Sequence, residues 1–263
     1  MDFENGKVYT IEGNTSSATI STNGGAVFVN TNASATMKDS TVKENDAIAG
    51  GGVYVTASSL DIVGGTYESN DIGTSSTNLG GAVYVIGGTV TVDGAEFKTN
   101  KAYRGSAIYV DEAGELSVEN STFANNNSSN AGGAVFTTNT GKITIDSTEF
   151  NSNSSGSGGA LYLASGDNVS LDVTNTKFIS NTATSNAGAV YVASRLATES
   201  VIFTDCEFTS NKATGSGGGL YVYGGSNATL NNVTARNNSA KYGGIAYVTS
   251  ASTNLTVKGA TIS

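Results

Sequence analysis

The sequence predicts an all-β protein that folds as a right-handed, single-stranded parallel β-helix of about nine coils. Three observations predict this fold: a short motif recurs every 25 to 30 residues, apolar and polar residues alternate within each repeat, and no stretch has helical spacing. A unit of this length cannot bury its apolar face alone, so it must stack on its neighbours.

The composition alone would favour a different class of protein. Gly, Ser, Thr and Asn make up nearly half of the 263 residues, and only 13% are charged, which is typical of a disordered segment. The repeats oppose that interpretation because they bring the apolar residues into register. Pro is absent, as expected where every backbone amide pairs with a carbonyl of a neighbouring coil.

Most repeats begin with two glycines, a small residue and an aliphatic-aromatic-aliphatic triplet, a pattern that predicts a short strand. Side chains alternate along a strand, so the aliphatic residues should form the core and the aromatic residue should face outward. The motif begins at Gly24, Gly50, Gly80, Gly105, Gly132, Gly158, Ala187, Gly217 and Gly243. The predicted core columns are Val27, Val53, Val83, Ile108, Val135, Leu161, Val190 and Leu220, and Val29, Val55, Val85, Val110, Leu163, Val192 and Val222.

The second half of each repeat has two alternating aliphatic residues, a corner, an inward aromatic residue and an Asn three positions later. Val90, Val92, Phe97 and Asn100 are one copy. The residue three before the aromatic is usually Gly, Asn or Asp, which tolerate a left-handed backbone, so the coil should turn there. The Asn residues should stack as an internal ladder. The predicted corners are Asp39, Gly64, Gly94, Asn120, Ser147, Asn175, Asp205, Asn232 and Gly259. The predicted core columns of this strand are Leu60, Val90, Leu116, Ile143, Leu171 and Val201, and Ile62, Val92, Val118, Ile145, Val173 and Phe203.

The repeats divide the chain into two parts. Residues 1–23 are expected to form an N-terminal capping segment or a partial coil, and residues 24–263 to form the β-helix. Thr261, Ile262 and Ser263 stand where other coils place the inward aromatic residue, without a polar cap. Because solenoid ends are normally capped, the last coil is expected to be truncated or uncapped.

The outward aromatic residues of the first motif are the candidate binding residues. Stacked coils would turn them into a continuous stripe that can pack against sugar rings or another protein. The opposing interpretation is that the stacked rings only stabilise the sheet beneath flanking loops. The stripe consists of Phe28, Tyr54, Tyr84, Tyr109, Phe136, Tyr162, Tyr191, Tyr221 and Tyr247.

An acidic column is the candidate metal site. Asp93, Glu119 and Asp146 should stack on three consecutive coils, with the spacing of a calcium site or of a retaining glycosidase pair. The opposing interpretation is a solvated strand face. Charges also interrupt the neighbouring Thr columns, which disfavours ice binding.

The residue inventory excludes several functions. The chain has no His or Trp and only 13 Lys and Arg, which argues against His-based catalysis and most zinc sites, so we expect no enzyme and no cofactor beyond possible Ca²⁺. The net charge of -9 without a basic stripe disfavours nucleic acid. No apolar run is long enough for direct membrane insertion. The single cysteine, Cys206, is expected to be a buried hydrophobe.

Repeats of Gly-Gly-Ala-aliphatic paired with Phe-x-x-Asn resemble those of the chlamydial polymorphic membrane proteins and related adhesin-like proteins. The resemblance covers residues 24–262, although this chain lacks the cysteine-rich character of that family. It implies an extracellular β-helical ectodomain at the cell surface. The expected function is therefore non-enzymatic adhesion to a glycan or to a host or cell surface protein. The alternatives are a filament or layer that self-assembles head to tail or laterally, and a β-helix polysaccharide lyase or hydrolase.

Overall fold

The chain forms a right-handed parallel β-helix, which confirms the predicted fold class. The computed structural model describes residues 23–112, 115–139, 141–164, 170–193, 200–225, 227–251 and 253–263, together with the backbone of short strands within residues 2–16. All strand pairings in these ranges are parallel, and none of these residues is helical. Each coil pairs with the next because equivalent residues of successive repeats are in register.

The largest sheet has 18 strands and supplies two consecutive segments of each coil. Two strands, Val53–Val63 and Val83–Asp93, run through both segments without a break. The other first-segment strands are Asp2–Phe3, Val27–Val29, Ile108–Asp111, Val135–Thr138, Leu161–Leu163, Val190–Ala193, Leu220–Tyr223 and Ala246–Thr249. The other second-segment strands are Val8–Glu12, Ser34–Lys38, Glu115–Glu119, Lys142–Asp146, Ser170–Thr174, Ser200–Thr204, Asn227–Asn231 and Asn254–Lys258.

Two narrower sheets close each coil. The second sheet contains the inward aromatic residue of each repeat and has ten strands, and the third sheet has five. The strands of the second sheet are Thr15–Ser16, Thr41–Lys43, Thr66–Glu68, Glu96–Lys98, Thr122–Ala124, Glu149–Asn151, Lys177–Ile179, Glu207–Thr209, Thr234–Arg236 and Thr261–Ile262. The strands of the third sheet are Lys101–Arg104, Asn127–Ala131, Ser154–Ser155, Thr182–Ala183 and Lys212–Ala213.

The core lies inside the coils and contains all of the predicted aliphatic columns. The aromatic residues of the second sheet are fully buried and stack on one another, with ring centroids 4.6 to 5.1 Å apart. This stack consists of Tyr67, Phe97, Phe123, Phe150, Phe178 and Phe208. The alternation of apolar and polar residues within each strand therefore predicted correctly which side chains lie in the core.

The predicted internal Asn ladder is present and satisfies the buried polar groups beside the core. Asn126 donates from Nδ2 to Asn153 Oδ1 at 3.0 Å and to the Phe97 carbonyl oxygen at 2.9 Å. The backbone amide of Asn126 also donates to Asn153 Oδ1, at 3.0 Å. The same bonds repeat from coil to coil, so each ladder amide bonds to the coils on both sides. The ladder consists of Asn45, Asn70, Asn100, Asn126, Asn153, Asn181, Asn211 and Asn238.

The coils turn through left-handed backbone positions. All nine predicted corners, from Asp39 to Gly259, have φ between 45° and 68°. A second left-handed corner precedes each ladder Asn, with φ of 54° to 58° at residues such as Glu44 and Ser152. The sequence did not indicate this corner because six of its eight residues are Ser, Thr or Glu, which adopt positive φ less readily than Gly or Asn.

Cys206 lies in a column of small residues before the inward Phe, as predicted. Its side chain is buried in the core, and its thiol lies 3.4 Å from the carbonyl oxygen of Val173. Burial is the main cause that raises the pKa of the thiol to about 11. This thiol is therefore protonated at neutral pH, in agreement with its expected role as a buried hydrophobe.

The first and last described coils pair with their neighbours like the others. Val8–Glu12 pairs with Ser34–Lys38, and Thr261–Ile262 pairs with the preceding coil. In the last coil, Val257 and Ile262 are exposed. No helix long and apolar enough to cross a membrane occurs in the part of the chain that the structure describes.

Candidate functional site

The nine predicted aromatic residues lie in one column on the outside of the first segment, called here the aromatic ladder. Strand register places each ring directly beside its equivalent in the next coil, as for Tyr109 and Phe136. Successive ring centroids are 4.5 to 5.3 Å apart, and successive ring planes differ by 8° to 24°. The rings thus form one continuous stack that runs along the helix axis.

The stacking decides which part of each ring a ligand can reach. Because neighbouring rings cover both faces of an internal member of the stack, only the ring edge and the phenol oxygen point away from the sheet. Sugar rings therefore cannot stack on the faces of the internal members, and the binding role of these residues stays a prediction. The ladder offers instead a row of edges that carry hydroxyl groups.

The middle of the aromatic ladder is buried. The exposed fraction is only 4% for Tyr109 and 2% for Phe136, and Tyr84 is also buried. Together with Ala49 and Ala131 these rings form a second apolar cluster, outside the main core. The predicted continuous exposed stripe is thus interrupted, because residues flanking the strands fold over these three rings.

Arg104 is one of the residues that cover this middle part. Its guanidinium carbon lies 5.2 Å from the ring centroid of Phe136 and 5.4 Å from that of Tyr103, and its Nε donates to Asn130 Oδ1 at 2.8 Å. Burial raises the pKa of Tyr109 to about 12, although a hydrogen bond with Arg104 opposes the shift. Arg104 therefore packs on the ladder by cation–π contact.

The C-terminal part of the ladder is more open. Tyr162, Tyr191, Tyr221 and Tyr247 are each partly exposed, and they occupy four consecutive coils. We call these four residues the open end of the ladder. Among the described residues, those that flank Tyr162 and Tyr191 are small and uncharged: Ser157 and Asn186 on one side, and Ala164 and Ala193 on the other. Ser216 and Tyr223 flank Tyr221.

The phenol groups of the open end influence one another along the stack. Besides burial, Tyr162 and Tyr221 both act electrostatically on Tyr191 and raise its pKa. Burial is the main cause that raises the pKa of all three phenols. They are therefore neutral at physiological pH, and each hydroxyl can both donate and accept a hydrogen bond.

Two tyrosines outside the ladder extend this surface, and sequence analysis missed them. Tyr223 and Tyr242 are 47% and 55% exposed. The Tyr242 ring is tilted by 41° at 6.4 Å from Tyr247, and Lys241 Nζ lies 5.2 Å from its centroid. Parity could have indicated Tyr223, because it follows Tyr221 by two positions on the same strand and must face the same side.

The acidic column is assembled as predicted, but two of its three carboxylates, Asp93 and Asp146, bond to neighbouring side chains. Asp93, Glu119 and Asp146 occupy the same register position on three consecutive coils. Asp93 accepts a hydrogen bond from Asn120 Nδ2 at 2.9 Å. Hydrogen bonds from Thr174, Asn175 and Ser147 lower the pKa of Asp146, and the bond from Thr174 has the largest effect.

These contacts do not build a metal centre. No group of three or more His, Cys, Asp or Glu side chains could hold a metal ion in the described ranges of the chain. The acidic column therefore gives the Ca²⁺ prediction no geometric support, and a solvated strand face accounts for its contacts.

A polar cleft of about 430 Å³ lies on the third sheet, on a different side of the coil from the ladder. Small residues form much of its lining. The hydroxyl groups of Ser128 and Ser155 in this lining donate to the carbonyl oxygens of Gly132 and Ser157. These buried hydroxyls are therefore already bonded within the fold, and they do not indicate a ligand.

Comparison with known proteins identifies the architecture. The family model described as right handed beta helix region matches residues 3–173 and, in a second match, residues 81–262. The two matches together span nearly the whole chain. No curated protein and no solved structure shows significant similarity to this chain.

Proposed function

Because the chain belongs to the right-handed β-helix family, which includes adhesins and polysaccharide-degrading enzymes, we propose that it is a rigid, non-enzymatic binding rod. In this proposal it is displayed outside the cell, at a cell surface, and it binds a glycan or a surface protein. The repeats resemble those of the chlamydial polymorphic membrane proteins, which favours an adhesin over an enzyme.

The open end of the aromatic ladder is the observation that carries the proposal. It places four partly exposed tyrosines in a row, and Tyr223 and Tyr242 add exposed aromatic surface beside it. Tyrosine is enriched among residues that dominate binding energies, because a rigid amphipathic side chain loses little entropy on binding. A backbone bonded from coil to coil also keeps these side chains preorganised.

The state of the acidic column supports a role without catalysis. A general acid must keep a proton near neutral pH, which needs a raised pKa. Hydrogen bonds from Thr174 and Asn175 instead lower the pKa of Asp146 and favour its ionised form. A lyase or hydrolase built on Asp93, Glu119 and Asp146 is thus the weaker proposal.

The proposal is tested with a variant that carries both Tyr191→Ala and Tyr221→Ala. Binding of the purified protein to glycan arrays and to arrays of cell-surface proteins should fall by more than tenfold, because two residues in the centre of the binding face are truncated. Tyr54→Ala is the matched control: it truncates a partly exposed ladder tyrosine near the other end and should leave binding unchanged.

Two outcomes would contradict the proposal. One is equal binding by the double variant and the unaltered protein while circular dichroism shows that both are folded. The other is release of reducing ends or unsaturated sugars from a polysaccharide panel, with loss of this activity on Asp93→Ala, Glu119→Ala or Asp146→Ala.

A further inference from the structure

The geometry points to a specific ligand class. We propose that the open end of the ladder binds a neutral, linear glycan that lies parallel to the helix axis, with one sugar on each coil. This inference rests on the proposed binding function and deepens it, because a surface protein would satisfy the function without satisfying the inference.

The spacing of the ladder is the first argument. Tyr162, Tyr191, Tyr221 and Tyr247 follow one another at centroid distances of 4.5, 4.7 and 5.3 Å. This repeat is close to the length of one hexopyranose unit in an extended glycan. An extended peptide advances about 3.3 to 3.6 Å per residue, so its side chains fall out of step with the coils.

The chemistry of the exposed atoms is the second argument. Within the open end the stack covers the ring faces, so recognition depends on the phenol hydroxyls, one from each coil. A neutral phenol hydroxyl donates and accepts, which suits the hydroxyl groups of a sugar. Tyr223 and Tyr242 lie outside the stack, and their exposed rings offer apolar surface to a sugar at one end of the row.

The distribution of charge is the third argument. Among the described residues, Ser, Asn and Ala flank Tyr162 and Tyr191, and Ser216 and Tyr223 flank Tyr221. Two described cations lie near the row, and each packs on an aromatic ring at 5.2 Å: Arg104 on Phe136 and Lys241 on Tyr242. The chain as a whole has a net charge of -9. A sulfated or carboxylated glycan would be repelled by this net negative charge, and the cations Arg104 and Lys241 already pack on aromatic rings, so the described surface favours a neutral chain.

The test measures how affinity depends on the length of the glycan. Neutral gluco-, manno- and xylo-oligosaccharides of two to six sugars are titrated into the protein by isothermal calorimetry. For the series that binds, we expect affinity to rise about fivefold per sugar, as one hydrogen bond per coil would give. The rise should stop near four sugars because the open end has four tyrosines.

Single-atom variants then locate the glycan. Tyr191→Phe keeps the stacked ring and removes only the hydroxyl, so affinity for the tetrasaccharide should fall about fivefold. Tyr84→Phe is the matched control, since this ladder tyrosine is buried in the middle of the stack. It should leave the affinity unchanged.

Three results would overturn the inference: no binding by any neutral series, an affinity that does not depend on length, or tighter binding of sulfated than of neutral oligomers at physiological salt. If the protein array still gives binding that the Tyr191 and Tyr221 alanine substitutions abolish, the proposed function stands and only the glycan inference fails. If those substitutions change no binding, the proposed function fails as well.

Discussion

Replacing Asn153 by alanine should destabilise the protein strongly, because this side chain makes four hydrogen bonds within the fully buried part of the Asn ladder. Its Nδ2 donates to Asn181 Oδ1 at 3.0 Å and to the Phe123 carbonyl oxygen at 2.8 Å. Its Oδ1 accepts from the backbone amide and from Nδ2 of Asn126, both at 3.0 Å.

The expected loss follows from the groups left behind. Asn153→Ala removes four buried hydrogen bonds, each of which contributes about 1 kcal/mol to stability. Alanine has no side-chain rotamers to lose on folding, so the variant avoids about 1 kcal/mol of the entropy cost that Asn153 carries. The free energy of unfolding should therefore fall by about 3 kcal/mol, a large share of the about 5 to 15 kcal/mol that is typical of a folded domain.

Equilibrium urea unfolding followed by far-ultraviolet circular dichroism measures this loss. Asn127→Ala is the matched control, because Asn127 is exposed, and a surface substitution should change stability by less than about 0.5 kcal/mol. The reasoning would be refuted by a loss below about 1 kcal/mol for Asn153→Ala at an unchanged urea slope, or by equal losses in the two variants.

Two further predictions concern the backbone and the ladder. Gly133→Ala should lower the free energy of unfolding by more than about 3 kcal/mol in the same assay, because its Cβ would lie 1.8 Å from the Gly159 carbonyl oxygen. The Cβ of Gly94→Ala would meet no atom, so this control should lose only the about 1 kcal/mol that a left-handed alanine costs. Equal losses in the two variants would contradict this prediction. Burial raises the pKa of Tyr109 from 10.0 to about 12, so this phenol ionises at lower pH in the unfolded protein than in the folded protein. The stability that the buried phenol contributes is therefore present below pH 10 and is lost between pH 10 and 12. Urea midpoints at pH 9 and 11 should fall less in Tyr109→Phe than in the unaltered protein, and an identical fall would show that this phenol does not contribute.

Most of the fold was accessible from the sequence because contacts in a solenoid are made mainly between equivalent residues of neighbouring coils. A column such as Val90, Leu116 and Ile143 is therefore visible as a repeat of residue types along the linear chain. The same reasoning placed Asn153 inside and Asn120 at a left-handed corner.

The candidate site was accessible only in part. The repeats located the aromatic ladder and its column, but they did not indicate that Arg104 packs over Phe136 or that Tyr242 lies beside Tyr247. Both residues stand directly before the first glycine of the motif, at a position whose residue type changes from coil to coil, so the repeat of residue types carries no information about them. The partners of Asp146 also depend on side-chain rotamers, which a column of residue types does not specify.

The sequence by itself determined the winding, the interior and the corners, because a strict repeat of residue types leaves one register in which the apolar faces coincide. The tertiary structure alone decided which outward residues a ligand can reach. Stacking turned the aromatic rings edge-on, and flanking side chains covered Tyr109 and Phe136 while leaving Tyr191 and Tyr221 partly exposed. Exposure depends on the sizes and directions of non-repeating neighbours, which become neighbours only when the chain has wound.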